Sequence, residues 1–132
     1  MVTFEEAAEM LDEIAVEFPE AFYKHLNGGI YILPDVKKDP ESTAGQPLYI
    51  LGEYNRRFDL GRFIYIYYGS FQQIYPHLSH AEFRRELKSV LAHEFTHHVE
   101  SLAGERGLEI EDEEEMERYR LRRGRLRRRL RS

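Results

Sequence analysis

Two histidines four residues apart, with a glutamate directly after the first, form the stretch HEFTH at His93 to His97, and it is here that this 132-residue chain carries residues whose types and spacing can do chemistry. On a helix, positions i and i+4 lie on one face about a turn apart, so the two imidazoles can bind a single metal ion. Glu94 is rotated by about 100° around the helix axis from His93. It can therefore reach a water on that metal without itself occupying the metal, which makes it the candidate general base. The chemistry such a trio serves is hydrolysis. Zn2+ lowers the pKa of its bound water to about 7 and polarises a carbonyl, while the carboxylate takes a proton and later delivers it to the leaving amine.

These residues need a helix that presents them, and the flanking sequence supplies one. Ser79 with Glu82 is a capping box, and the helix that follows is predicted from His80 to about Ala103, with Gly104 placed to end it. Phe83, Leu87, Leu91, Phe95, His98 and Leu102 fall on one broad face that should pack against a sheet. His93 and His97 fall beside that face. His98 points further round than Glu94, towards the apolar side, and reads as a buried histidine supporting the site. His25, His77 and His80 have no ligand spacing and read as surface residues.

The sheet is predicted from Ile30 to Leu33, Leu48 to Tyr54 and Arg62 to Tyr68, short runs rich in Ile, Leu and Tyr separated by turn formers. Three short strands with antiparallel pairs follow. Residues 34–47 hold three prolines and read as an exposed loop. Upstream, Thr3 and Glu6 form another capping box, and Phe4, Ala7, Leu11, Ile14, Ala15 and Phe18 recur at helical spacing, predicting a helix to about Phe18. A short second helix through Ala21, Phe22 and Leu26 would end at Gly28 and Gly29. Tyr65, Tyr67 and Tyr68 could belong to an edge strand along which an extended peptide lies. Tyr54, Tyr68 and Tyr119 are each able to stabilise an oxyanion.

Composition bounds the rest. With 42% hydrophobic and 33% charged residues, the chain reads as one globular domain. Cysteine is absent, so any metal must be held by histidine and carboxylate. No apolar run approaches the roughly 20 residues that span a bilayer, and the expected address is cytoplasmic. The net charge of −5 conceals an asymmetry: residues 118–132 carry nine arginines and no acid, whereas residues 1–117 hold 10 Lys/Arg against 24 Asp/Glu, a net of −14. An acidic body argues against specific nucleic-acid binding by the folded part, although the tail can touch polyanions. Acids from Glu113 followed by arginines to about Leu130 are also in the order that one last helix would favour.

In the segments LAHEFTHHVE and RFIYIYYGSF the chain resembles the minimal zincins, small bacterial metallopeptidase-like proteins, and the likeness covers most of residues 3–117. The resemblance implies an α+β, zincin-like fold: an N-terminal helix, a small mixed sheet of three to four strands, and the motif helix packed on it. The domain would be residues 1–117, with 118–132 an arginine-rich extension. It also implies zinc held by His93, His97 and a downstream acid. The common family form has His-His-x-Gly followed shortly by that acid, but Glu100 stands in the glycine's place here, and SLAGERGLEI separates the helix from the acidic cluster. Asp112 is the first choice for third ligand, with Glu109, Glu111 and Glu105 as alternatives. The function expected is zinc-dependent hydrolysis of peptide bonds with Glu94 as base, acting on a peptide or protein substrate. The alternative is a non-catalytic zincin-like metal-binding module acting through protein or polyanion contacts.

Overall fold

The computed structural model describes residues 1–106. The acidic stretch around Asp112, the helix expected from Glu113, Tyr119 and the arginine-rich extension lie outside the described residues. The fold is α+β.

Helix α1 (Phe4–Ala15) begins where its capping box places it: Glu6 N–H donates to Thr3 Oγ1 at 3.1 Å and Thr3 N–H to Glu6 Oε1 at 3.0 Å. Ala7, Leu11 and Ile14 form its buried stripe. It stops three residues short of Phe18, because Pro19 disfavours helical backbone at the residue before it and the chain tightens into turns, Glu17 N–H donating to the Ile14 carbonyl. Only one 3₁₀ turn (Glu20–Tyr23) forms where a second helix was expected. Gly28 and Gly29 accordingly end no helix. They start strand β1 (Gly29–Leu33), where Gly28 N–H donates to the Arg62 carbonyl at 2.8 Å and a Cβ would stand 2.8 Å from that oxygen.

Strands β2 (Gly52–Arg57) and β3 (Gly61–Tyr67) complete a mixed sheet of order β1-β3-β2. β3 pairs parallel with β1, Ile30 facing Ile64 and Ile32 facing Ile66, and antiparallel with β2, Tyr54 facing Ile64. The expected antiparallel arrangement therefore holds for one pair of the two. β2 also starts later than Leu48, since Leu48 to Ile50 pair instead with the stretch 37–39: Asp39 N–H donates to the Leu48 carbonyl and Ile50 N–H to that of Lys37. The segment read as an exposed loop is exposed apart from buried Asp39 and half-buried Ser42, and it folds back on residues 48–50 through this bridge.

Tyr68 leaves the sheet and opens helix α2 (Tyr68–Ile74), for which the sequence gives no cap. Tertiary contact holds it: Ser70 Oγ accepts from Lys37 N–H at 2.9 Å, and Gly69 lies so close to the Pro34–Asp35 backbone that a Cβ would meet it at 2.7 Å. Helix α3 (His80–Arg106) follows, its Ser79–Glu82 capping box formed in both directions. It runs through Gly104, which sits in open space, rather than ending there.

Phe83, Leu87, Leu91, Phe95 and His98 are buried as the helical period requires, together with Val90. The apolar ones pack with Ile64 and Ile66 of the sheet and Leu11 and Ile14 of α1 in one core. Phe18, Phe22 and Tyr23 surround the Phe95 ring at centroid distances of 5.0, 5.5 and 5.1 Å, which locks the middle of α3 in place. Among the described residues, no helix is long and apolar enough to cross a membrane.

Candidate metal centre

The locked stretch of α3 carries His93, Glu94 and His97, whose side chains each bring a potential ligand atom to within 4.8 Å of the others. The two imidazole rings stand 5.1 Å apart at 80° to one another, and His93 Nε2 is 4.0 Å from Glu94 Oε2. His93 and Glu94 are buried and His97 is half-buried. All three line a cleft of about 140 Å³ between α3 and the chain from Tyr49 to Tyr54, with Val90 at its base. The two imidazoles are donors suited to zinc, and the Glu94 carboxylate stands beside them within reach of a water on such an ion. Ligand atoms around a tetrahedral zinc lie about 3.3 Å apart for bonds of ~2.0 Å, and the candidate atoms here stand within 4.8 Å of one another. His93 and His97 therefore fit as two of the ligands of such an ion.

His98 belongs to the support of this centre. Its Nε2 is 2.8 Å from the Lys24 carbonyl, which can only accept, so Nε2 carries the proton. Nδ1 then accepts from the Tyr54 hydroxyl at 2.8 Å. Both nitrogens are in use and the ring is fully buried, so His98 is no ligand. Burial, chiefly, pushes its pKa down from the usual value, so the neutral ring is the form that folds. An unfolded histidine with a pKa of about 6.5 takes up a proton that the folded one resists. Stability contributed by His98 is therefore present above about pH 6.5 and lost as pH falls below it. Urea midpoints measured from pH 8 to 5 should decline more steeply for the parent protein than for His98→Gln, which has no such proton to gain.

Of the two described tyrosines that could stabilise an oxyanion, Tyr54 and not Tyr68 lines the cleft, and its one hydroxyl proton is directed to His98. Tyr68 instead donates to the Val2 carbonyl, and Tyr119 lies outside the described residues. The edge-strand reading of Tyr65 and Tyr67 is corrected by the topology: β3 is the central strand, paired on both sides. Their rings face away from α3, and Tyr67 donates to Glu53 Oε1 at 2.9 Å. Burial, chiefly, holds the Tyr67 phenol well above its ordinary range.

The edge beside the centre is β2. Tyr67 N–H donates to the Leu51 carbonyl at 2.9 Å. Because antiparallel pairs alternate, the backbone groups of Gly52 and Tyr54 then point outward, away from β3. Leu51, Gly52 and Val90 were missed as site residues. The signal available for Gly52 was a lone glycine inside a strand pattern, a mark of close backbone approach. Asp112, Glu111 and Glu109, the acids considered as third ligand, lie outside the described residues, as does the side chain of Glu105. His25, His77 and His80 are exposed, His80 pairing with Glu6 at 2.6 Å.

No family model matches the chain, and no curated protein does either. Among solved structures it is similar to a conserved hypothetical protein from Thermo thermophilus, with 32% sequence identity and a TM-score of 0.65, over 78% of this chain and 99% of that one. At that identity, and across nearly the whole of the Thermo thermophilus chain, the protein belongs to the same family as this conserved hypothetical protein.

Proposed function

We propose that the protein is a zincin-type, zinc-dependent metallopeptidase. The observation that carries this reading is the convergence of His93, Glu94 and His97 in a cleft walled by the outward-facing edge of β2. His93 and His97 would hold the ion, with a third donor from the acidic residues beyond α3, Asp112 first among them. Zinc, when bound, lowers the pKa of a coordinated water to about 7 and polarises the scissile carbonyl.

The chain's own residues do the rest. Glu94 accepts the proton of the attacking water and passes it to the leaving amine. The backbone groups of Gly52 and Tyr54 pair with an extended peptide and lay it across the cleft, as a strand added to a free sheet edge. Val90 and Leu51 make the apolar part of the wall. A purely structural site has no use for a carboxylate at position 94, which favours hydrolysis over a non-catalytic module.

Stripping the protein with a chelator should abolish cleavage of a mixed peptide pool, and adding one equivalent of Zn2+ should restore it. Cleavage that survives complete removal of metal would overturn the reading.

A further inference from the structure

β2 crosses α3 closer than any side chain at the crossing would permit. A Cβ on Gly52 would stand 2.6 Å from Val90 Cγ1, 3.2 Å from Glu94 Oε2 and 3.3 Å from Glu94 Cγ. The backbone of Gly52 is not in the left-handed region, so the position demands glycine for space and not for conformation. Neither element can withdraw to make room. β2 is tied to β3 through the Leu51–Tyr67 hydrogen bond and the Glu53–Tyr65 pair on either side of Gly52, and α3 is held from below by Leu91 and Phe95 in the core. Glu94 is 3% exposed and lies in the slot that the bare Cα leaves.

We infer that Gly52 is the positioning residue for Glu94: the missing side chain sets where the carboxylate stands beside His93. The same residue's outward N–H and C=O hold the rung of the strand under which that carboxylate lies, so one glycine aligns the base with a peptide paired to β2. The inference rests on the reading of Glu94 as general base, and it adds that the edge strand, as well as the helix, determines the base's position.

Alanine at 52 does two separable things. It collides with Val90, which damages packing, and it presses on Glu94, which moves the base. Val90→Ala removes Cγ1 and with it the first effect alone. The experiment compares zinc-loaded Val90→Ala with Gly52→Ala/Val90→Ala. The double variant should regain the thermal midpoint that Gly52→Ala alone loses and should bind Zn2+ with the affinity of Val90→Ala. Its kcat on a peptide pool should still be roughly 3- to 10-fold below that of Val90→Ala, at similar KM, because the added Cβ makes the Glu94 carboxylate give by a few tenths of an ångström, part of the roughly 10²-fold that a 1 Å misplacement costs, while the backbone rung is retained. Crystal structures of the pair read the cause directly, with the Glu94 carboxylate shifted relative to His93 only in the double variant. Equal kcat in the two variants, or an unmoved carboxylate, would reduce Gly52 to a packing residue. A parent protein that cleaves no peptide would defeat the peptidase reading, and the carboxylate position would still decide the role of Gly52.

Discussion

Glu94→Gln will leave the protein folded and zinc-loaded and will slow peptide hydrolysis by roughly 10²- to 10⁴-fold, the range over which a positioned general base acts. Glutamine has the shape of the residue it replaces, so the slot beneath Gly52 stays filled and the core around Leu91 and Phe95 is undisturbed. What is lost is the ability to accept a proton from water. At about 1.4 kcal/mol per decade, that is about 3–6 kcal/mol of transition-state stabilisation. The loss should fall on kcat, with KM little changed, because binding depends on the β2 edge and not on this carboxylate. Elemental analysis of the variant separates two roles: zinc retained marks Glu94 as a base, whereas zinc lost together with activity would make it a ligand.

The double substitution His93→Ala/His97→Ala will abolish the stabilisation that zinc confers. A ligand that binds only the folded state at a hundred times its dissociation constant adds about 2.7 kcal/mol, read as a rise in the thermal midpoint. The parent protein should show that rise and the double variant none. Because His93 is buried, its removal also lowers the midpoint of the metal-free protein, so the quantity to compare is the zinc-induced shift and not the midpoint itself. His98→Gln supplies the contrast. Both of its ring nitrogens are bound within the protein, so the variant should be less stable yet keep the zinc-induced shift. Loss of the shift in His98→Gln would mean that this histidine touches the metal.

Local signals carried much of the fold. The Thr3–Glu6 and Ser79–Glu82 boxes are encoded within four residues each, and both form as read. The period of Phe83, Leu87, Leu91 and Phe95 declares the buried face of α3, and His93, Glu94 and His97 take their places from that period alone. What escaped depends on partners distant in sequence. Helix α2 has no cap of its own and is held by Lys37 through Ser70. β3 reads like any tyrosine-rich strand, and only its pairing with β1 makes it central and its tyrosines unavailable as an edge. Gly104 carries the residue type of a helix end, yet α3 continues past it to Arg106. Leu48 to Ile50 have the composition of a strand but pair with a folded-back loop.

The site divides along the same line. The trio was legible because its geometry is a property of one helix. The cleft was not, since it exists only where β2 crosses that helix, and Gly52 gains its meaning from atoms of Val90 and Glu94 about 40 residues away. His98 falls between the two cases. Its angle on α3 marks it as buried, but its bonds to Tyr54 and Lys24, which fix the tautomer, required three separate parts of the chain to meet.

The most direct test is an unbiased peptide-cleavage profile of the zinc-loaded protein run beside Glu94→Gln. Cleavage by the parent protein, with products absent from the variant at equal zinc content, is the result predicted. Identical product profiles from the two proteins, or a fully zinc-loaded parent that cuts nothing across the library, would contradict the assignment of a metallopeptidase with Glu94 as its base.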